Sequence, residues 1–380
     1  MKITDVEMSR PISVSLRLEA GDAINRDMNV RTSAAVKVST DEGISGVCRC
    51  SGSEWCRTLI DTVLKSVVVG EDPLNFQRIW DNMYWATFNF GRKGASIHAM
   101  SFVDIAIWDI IGKATKQPLY KLLGGYRDKI PVYGSSIDLS YKLDDLVKIH
   151  ETFVEEGYKA VKMKVGKKDH NEDLERVKAV RDAIGDDIDL MVDANNSWGV
   201  QTAIRMGKKL ERYDLYWLEE PVRAEDMDGL AKVAASIEIP LATGESEYTK
   251  YGFKELIERK AVDIVQADVS RVGGITEWMK IAAFAEAWNL PMAPHARPDI
   301  HAHLAAAIPN GLIVEVFTTE FDPLQFDYWT DPWHKPKDGY IELADTAGIG
   351  LEVNEETINK CQEVGETPSR RRTYPPSRTR

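Results

Sequence analysis

Apolar and polar positions alternate with a period of two over the first ~50 residues, as in half-buried strands. Ala34-Ala35-Val36-Lys37-Val38 and Ile44-Ser45-Gly46-Val47 flank Asp41-Glu42-Gly43, which predicts a hairpin. Residues 54–123 switch to a helical pattern, with Ala106-Ile107-Trp108-Asp109-Ile110-Ile111 in an amphipathic run that stops at Gly124-Gly125. Together these stretches predict an α+β domain over residues 1–125.

From residue 131 the pattern changes. Apolar strand candidates begin near Val132, Ala160, Asp189, Leu215, Ile239, Val262, Pro291 and Leu312. Segments of helix length, such as 142–157, 171–184 and 275–288, separate them. Eight strand–helix alternations in ~190 residues predict a TIM-type α/β barrel over 126–320 rather than an open doubly wound sheet. No glycine-rich phosphate fingerprint follows the first strand, which argues against a dinucleotide fold. A C-terminal segment, 321–365, carries the strand-like Tyr340-Ile341-Glu342-Leu343 and the turn-rich Ala347-Gly348-Ile349-Gly350. The tail, 366–380, places arginines at 370, 371, 372, 378 and 380 among Pro, Ser and Thr, and reads as disordered.

The barrel pattern gives three acids a common place. Asp193, Glu219 and Glu245 are spaced by 219 − 193 = 26 and 245 − 219 = 26 residues, and each ends a short apolar run. Three successive strand–helix units would put one carboxylate each at the C-terminal ends of neighbouring strands, where a parallel barrel converges. Carboxylates gathered there repel one another and call for a cation. An all-oxygen set favours a hard divalent ion, here Mg²⁺.

Composition narrows the partners. A net charge of −12 argues against nucleic acid or an anionic membrane. No apolar run in the sequence approaches the roughly 18 residues of a membrane span, and the first residues lack a signal-peptide core. Cys48, Cys50, Cys56 and Cys361 read as reduced thiols, because no fourth zinc ligand accompanies the cluster. These features predict a cytoplasmic protein.

Further chemistry sits on the other strand ends. Lys162 and Lys164 are two apart on Ala160-Val161-Lys162-Met163-Lys164-Val165 and so share a face. Mutual repulsion and partial burial are expected to lower both, which would suit Lys164 to act as a general base. Asp268 ends the sixth strand and His295 the seventh, which predicts an aspartate-backed imidazole. His301 and His303 fall in the following helix and read as structural. Glu315 ends the eighth strand, where burial would keep it protonated and able to donate. Asn195, Ser135 and Ser136 are candidates to bind substrate. A metal, a lysine pair and a His–Asp pair around one mouth suit removal of a proton α to a carboxylate.

The ordered set of motifs resembles the enolase superfamily, mandelate racemase subgroup. It comprises Asp104-Ile105-Ala106-Ile107-Trp108-Asp109 with Gly112-Lys113, Lys162-Met163-Lys164, Asp193-Ala194-Asn195, Glu219-Glu220-Pro221, Gly244-Glu245, Asp268, Pro294-His295 and Glu315. The resemblance covers nearly all of 1–365. It implies an α+β capping domain, built from the N-terminal segment and the C-terminal return, over a modified (β/α)7β barrel. It also implies Mg²⁺ on Asp193, Glu219 and Glu245, with Glu219 rather than Glu220 as ligand. Lys164 would be the base on one face. His295, backed by Asp268, would be the base or acid on the other. Lys162 would neutralise the substrate carboxylate and Glu315 would hydrogen-bond it.

Such proteins line the pocket with cap loops, here near 15–30 and 48–58. Arg49, Ser51, Ser53, Glu54 and Trp55 in the second suggest a hydroxylated substrate. The Gly-x-Gly-Glu pattern common in the family is replaced by Gly46-Val47-Cys48-Arg49-Cys50. Arg297 meets either a second carboxylate or hydroxyls of the substrate, or an exterior salt bridge. The resemblance therefore implies dehydration of an aldonate or aldarate to a 2-keto-3-deoxy acid by a homo-oligomer. Racemisation or epimerisation of a 2-hydroxy acid uses the same two bases, and a non-catalytic ligand-binding barrel is the remote alternative. Muconate-type cycloisomerisation fits less well, because no lysine lies near Asp268 on the sixth strand.

Overall fold

The computed structural model describes residues 1–23, 28–330 and 332–363. The arginine-rich tail and part of the first cap loop lie outside the described residues. Four antiparallel strands build the cap: β1 (Ile3–Met8), β2 (Ile12–Ala20), β3 (Met28–Thr40) and β4 (Ser45–Cys50). β3 is central, pairing with β1, β2 and β4. The β3–β4 hairpin turns at Gly43, whose φ of 77° suits a residue without Cβ.

Helices at Glu54–Leu59, Phe76–Thr87 and Ala95–Thr115 follow. Contrary to the expectation that no stretch reaches the length of a membrane span, among the described residues Ala95–Thr115 is long and apolar enough to cross a membrane, yet 89% of its apolar window is buried inside the structure. It is the cap's core helix. β4 runs so close to it that a Cβ on Gly46 would lie 1.9 Å from the Ala106 carbonyl oxygen.

The acids of the Asp104…Asp109 motif join cap to barrel. Asp104 accepts from the backbone N–H and the hydroxyl of Thr276, at 2.9 and 2.6 Å. Asp109 accepts from Val47 N–H and Ile349 N–H and pairs with Lys113 at 2.9 Å. Burial pushes the Asp104 carboxyl up to about 7, because its hydrogen bonds only partly offset the loss of water.

The barrel strands are β5 (Lys129–Ser135), β6 (Ala160–Lys164), β7 (Asp189–Asp193), β8 (Leu215–Glu219), β9 (Leu241–Thr243), β10 (Ile264–Val265) and β11 (Val314–Phe317). They pair in parallel in the order β10-β9-β8-β7-β6-β5-β11. The fifth and sixth strands begin two residues later than the apolar runs near Ile239 and Val262 suggest. The seventh, expected from Pro291, is not a full strand. Met292 bridges Val265 on one side and Gly311 on the other, and that residue closes the barrel. Pro291 and Pro294 have no N–H to give, so a regular ladder cannot extend there.

Tyr340–Glu342 pairs antiparallel with the start of β5, so it extends the barrel sheet rather than the cap. Gln362–Glu363 pairs with β2 at the cap edge.

The barrel interior fills by period two. Tyr133, Ala160, Met191, Trp217, Ala242, Ile264, Ala293 and Ile313 form one buried apolar cluster. Asp193, Glu219, His295 and Glu315 each follow a member of that layer by two residues and stand above it.

Cys48, Cys50 and Cys56 are buried free thiols, and burial pushes them up to about 12, 12 and 11. His301, His303 and His334 are also buried, each with a ring nitrogen against a backbone carbonyl, at 2.6, 3.1 and 3.0 Å. Burial holds each at about 4, below the ordinary 6.5. Each group is neutral when folded and takes up a proton only when unfolded. The stability it contributes is therefore present above pH ~6.5 and is lost as pH falls to ~4, on the order of a few kcal/mol per histidine. The carboxyls of Asp104 and Glu219, held up near 7, gain stability as pH falls over the same window. The reading is therefore the urea midpoint of the wild type relative to a His303→Asn variant: that difference should fall across the window, and a constant difference refutes the assignment.

Candidate active site

Strand register assembles the site. Lys164 is the partner of Asp193, and Asp193 of Glu219, so three charged side chains from β6, β7 and β8 stand in one row. Glu219 aligns with Ala242, and Glu245 lies three residues beyond, past Gly244. Asp193, Glu219 and Glu245 each offer an oxygen within 4.8 Å of the others, and all three are buried. The donor set fits a hard divalent cation: three carboxylates, all oxygen, with no sulfur or imidazole among them.

The two lysines enter this acidic cluster. Lys162 Nζ lies 2.7 Å from Glu219 Oε1 and 2.9 Å from Glu315 Oε1. Lys164 Nζ lies 2.5 Å from Asp193 Oδ2. The expected lowering of the lysines does not hold in this state. Burial pulls both down, but Glu219, Glu315 and Asp193 outweigh it and hold Lys162 well above its ordinary value. Asp193 does the same for Lys164, against burial and the repulsion of Lys162.

Glu315 also departs from its expected protonated form. Burial raises it, but Lys162, His295 and Lys164 hold it at about 2, so it is an acceptor. It accepts from Ala296 N–H at 2.8 Å. Glu219 moves the other way, to about 7, because burial and the neighbouring acids Asp193 and Glu315 outweigh Lys162.

On the opposite rim His295 Nδ1 lies 2.9 Å from Asp268 Oδ2, and its Nε2 lies 3.4 Å from Glu245 Oε2. Burial lowers the imidazole, but Glu245 and Asp268 outweigh it and raise His295 above 6.5. Burial would raise Asp268, yet the bond to His295 and the charge of Arg271 hold it well below the carboxylate range. Around the closed sheet, β6 and the Met292 segment are three steps apart through β5 and β11. They are five apart through β7, β8, β9 and β10. Lys164 and His295 thus face each other across the mouth.

Ser135 Oγ and Asn195 Oδ1 are buried beside this cluster with no hydrogen-bond partner among the described residues. Asn195 sits in the left-handed region, φ 42°, with its N–H bonded to Asp193 Oδ1 at 2.8 Å. Ser136 is committed to Asp138. Arg49 and Arg297 are committed as well, to Asp322 and Asp299. Trp55 is 75% exposed at the start of a cap helix and does not join the cluster.

Four participants were missed from the sequence. Arg271 bridges Glu245 Oε1 at 3.0 Å and Asp268 Oδ2 at 3.2 Å, tying a triad acid to the partner of His295. Trp217 Nε1 and Gln266 Nε2 donate to Glu219 Oε2 at 2.9 and 2.7 Å. Tyr133 OH lies 3.4 Å from Lys162 Nζ. Trp217 and Gln266 each sit two residues before a site acid, and Arg271 sits one turn after one; that spacing was the available signal.

Comparison with known proteins gives the family. Residues 145–357 match the enolase C-terminal domain-like family, and residues 22–124 match the mandelate racemase / muconate lactonizing enzyme N-terminal domain. The chain is 39% identical over 341 residues to an arabinonate dehydratase of Saccharolobus solfataricus, covering 86% of this chain and 90% of that one. A racemase from Streptomyces coelicolor, solved with bound magnesium, superposes with a TM-score of 0.89 at 32% identity, covering 94% of this chain and 99% of that one. L-talarate/galactarate dehydratase from Salmonella typhimurium, liganded with Mg and L-lyxarohydroxamate, superposes with a TM-score of 0.86 at 32% identity, covering 95% and 93%. With both domain models matched and the acids, lysines and His–Asp pair in one barrel mouth, the chain belongs to the mandelate racemase / muconate lactonizing enzyme family of the enolase superfamily.

Proposed function

We propose that this protein is a Mg²⁺-dependent dehydratase of sugar acids, converting an aldonate or aldarate to a 2-keto-3-deoxy acid. The observation that carries the reading is the pair of facing proton-transfer groups, Lys164 and His295, across a buried three-carboxylate site. Asp193, Glu219 and Glu245 would hold Mg²⁺, which would supply positive charge for the substrate carboxylate as electron density builds there.

Lys162 stands between Glu219 and Glu315, where its ammonium offers a second positive charge to that carboxylate. Lys164 Nζ or His295 Nε2 takes the C2 proton, according to the configuration at C2. For Lys164 this requires the neutral amine. Burial and Lys162 both favour that form, and Asp193 opposes it until its charge is engaged elsewhere. His295, as imidazolium on Asp268, gives its proton to the departing C3 hydroxyl. The C2–H and C3–O bonds break, water leaves, and the resulting enol takes up a proton at C3 to give the keto acid. Ser135 Oγ and Asn195 Oδ1 are free to bond substrate oxygens.

One second reading is favoured by the same geometry. Two bases on opposite sides of one carbon also suit inversion at C2, and one structural relative is a racemase. The products separate them. Incubation with Mg²⁺ in D₂O against aldonates, aldarates and simple 2-hydroxy acids is expected to yield a keto acid carrying deuterium at C3. Deuterium at C2 without keto acid establishes the racemase or epimerase reading instead.

A further inference from the structure

Both arginines expected at the substrate are matched by carboxylates of the chain itself. Arg297 Nε and Nη2 each lie 2.9 Å from an oxygen of Asp299. Arg49 Nη2 lies 2.7 and 3.1 Å from the two oxygens of Asp322, and its Nε donates to Ser33 Oγ at 3.1 Å. Among the described residues a third arginine is only half matched. Arg31 precedes Ser33 by two on β3 and so shares its face. It approaches Asp322 Oδ2 only to 3.5 Å, and that carboxylate already serves Arg49. Among the described residues no other carboxylate lies within ion-pair distance of Arg31. Two guanidinium groups therefore share one negative charge.

The position of Arg31 relates it to the mouth. Its guanidinium lies over the Phe321 ring at 4.3 Å, and a quarter of its side chain is exposed. Phe321 meets Phe317 edge-on at 5.0 Å, and Phe317 meets the His295 ring at 6.4 Å. Ala20 and Ile137 complete this apolar cluster. A short hydrophobic wall thus runs from the imidazole to the Arg31 guanidinium. Burial holds Arg31 below its ordinary value, with Arg49 and Arg271 adding repulsion that Asp322 does not fully offset.

We propose that Arg31 receives the second carboxylate of a dicarboxylic sugar acid, so that the enzyme takes aldarates in preference to aldonates. The assignment rests on the sugar-acid reading above. A ligand carboxylate there gives two anions to two guanidinium groups, in the forked geometry arginine favours. An aldonate presents a hydroxymethyl group instead and leaves the charge unmet. A site built for a charged hydrogen bond discriminates strongly against the analogue that lacks it.

The test is steady-state kinetics of the Mg²⁺-loaded enzyme on six-carbon aldarates and the aldonates of the same configuration. The wild type is expected to prefer the aldarate. In Arg31→Gln the ratio of kcat/KM for aldarate over aldonate should fall on the order of 100-fold, the scale of a charged hydrogen bond, chiefly through KM. Arg31→Lys should recover part of it. A wild type that prefers the aldonate, or an Arg31→Gln ratio that does not move, overturns the assignment and leaves the dehydratase reading intact. If neither class is turned over, melting curves decide. A rise with aldarate alone, lost in Arg31→Gln, keeps Arg31 and sinks the dehydratase reading. No rise with either sinks both.

Discussion

Lys164→Ala and His295→Asn are each expected to lower kcat by roughly 10³-fold or more while leaving the fold intact, as for loss of a positioned acid or base. Neither group has a substitute. Lys162 is the nearest amine to Lys164, but it is fixed between Glu219 and Glu315 one layer below the rim. Near His295, His301 is locked as the neutral tautomer, with Nδ1 against Ala296 O and Nε2 accepting from Val269 N–H. The two variants should also differ from each other. For a substrate whose C2 proton faces Lys164, the lysine variant stops exchange of that proton with solvent. The histidine variant keeps the exchange and stops departure of the hydroxyl. Isotope exchange at C2 measured beside product formation reads both. Full turnover in either variant refutes the assignment of that residue.

Removal of divalent cation is expected to abolish turnover and to lower the melting temperature. Three buried carboxylates within 4.8 Å repel one another, and two of the cations beside them are shared: Lys162 also serves Glu315, and Arg271 divides between Glu245 and Asp268. Saturating Mg²⁺ should stabilise the folded state by about 2.7 kcal/mol at a hundredfold excess over Kd. Glu219→Gln keeps the volume and removes one charge, so the Mg²⁺-dependent rise should disappear in that variant. Melting curves with EDTA and with millimolar Mg²⁺ check this; a wild-type curve indifferent to both would falsify the metal assignment.

Much of this site was legible in the sequence. Asp193, Glu219 and Glu245 end apolar runs, and parallel-barrel topology sends every strand's C-terminal end to one mouth. The same logic located Lys164, Asp268, His295 and Glu315. Protonation was not legible, because it depends on partners drawn from other strands. Lys164 reads as a lysine beside a lysine along the chain, but register sets it against Asp193. Glu315 reads as an isolated buried acid, but Lys162 reaches it from across the barrel. Arg49 looked available because Asp322 lies in a loop whose return path no periodicity encodes, and Arg297 because its partner Asp299 is in the first turn of the helix that follows. Asp299 is only two residues from Arg297, yet the pairing depends on the left-handed turn at Ala296 and Arg297.

The closure at Met292 has a consequence for how such a protein changes over time. Six strands from β5 to β10 form a continuous ladder, whereas the stretch bearing His295 is fastened by a one-residue clasp on each side. Little of the sheet's cohesion passes through it. A lineage can therefore exchange the group presented there, or shift it along the clasp, with less damage to folding than an equal change on β6 or β8 would bring. The cation-holding half of the mouth is woven into the ladder and the half that presents the imidazole is pinned on, so new reactions are most readily acquired at the pinned half.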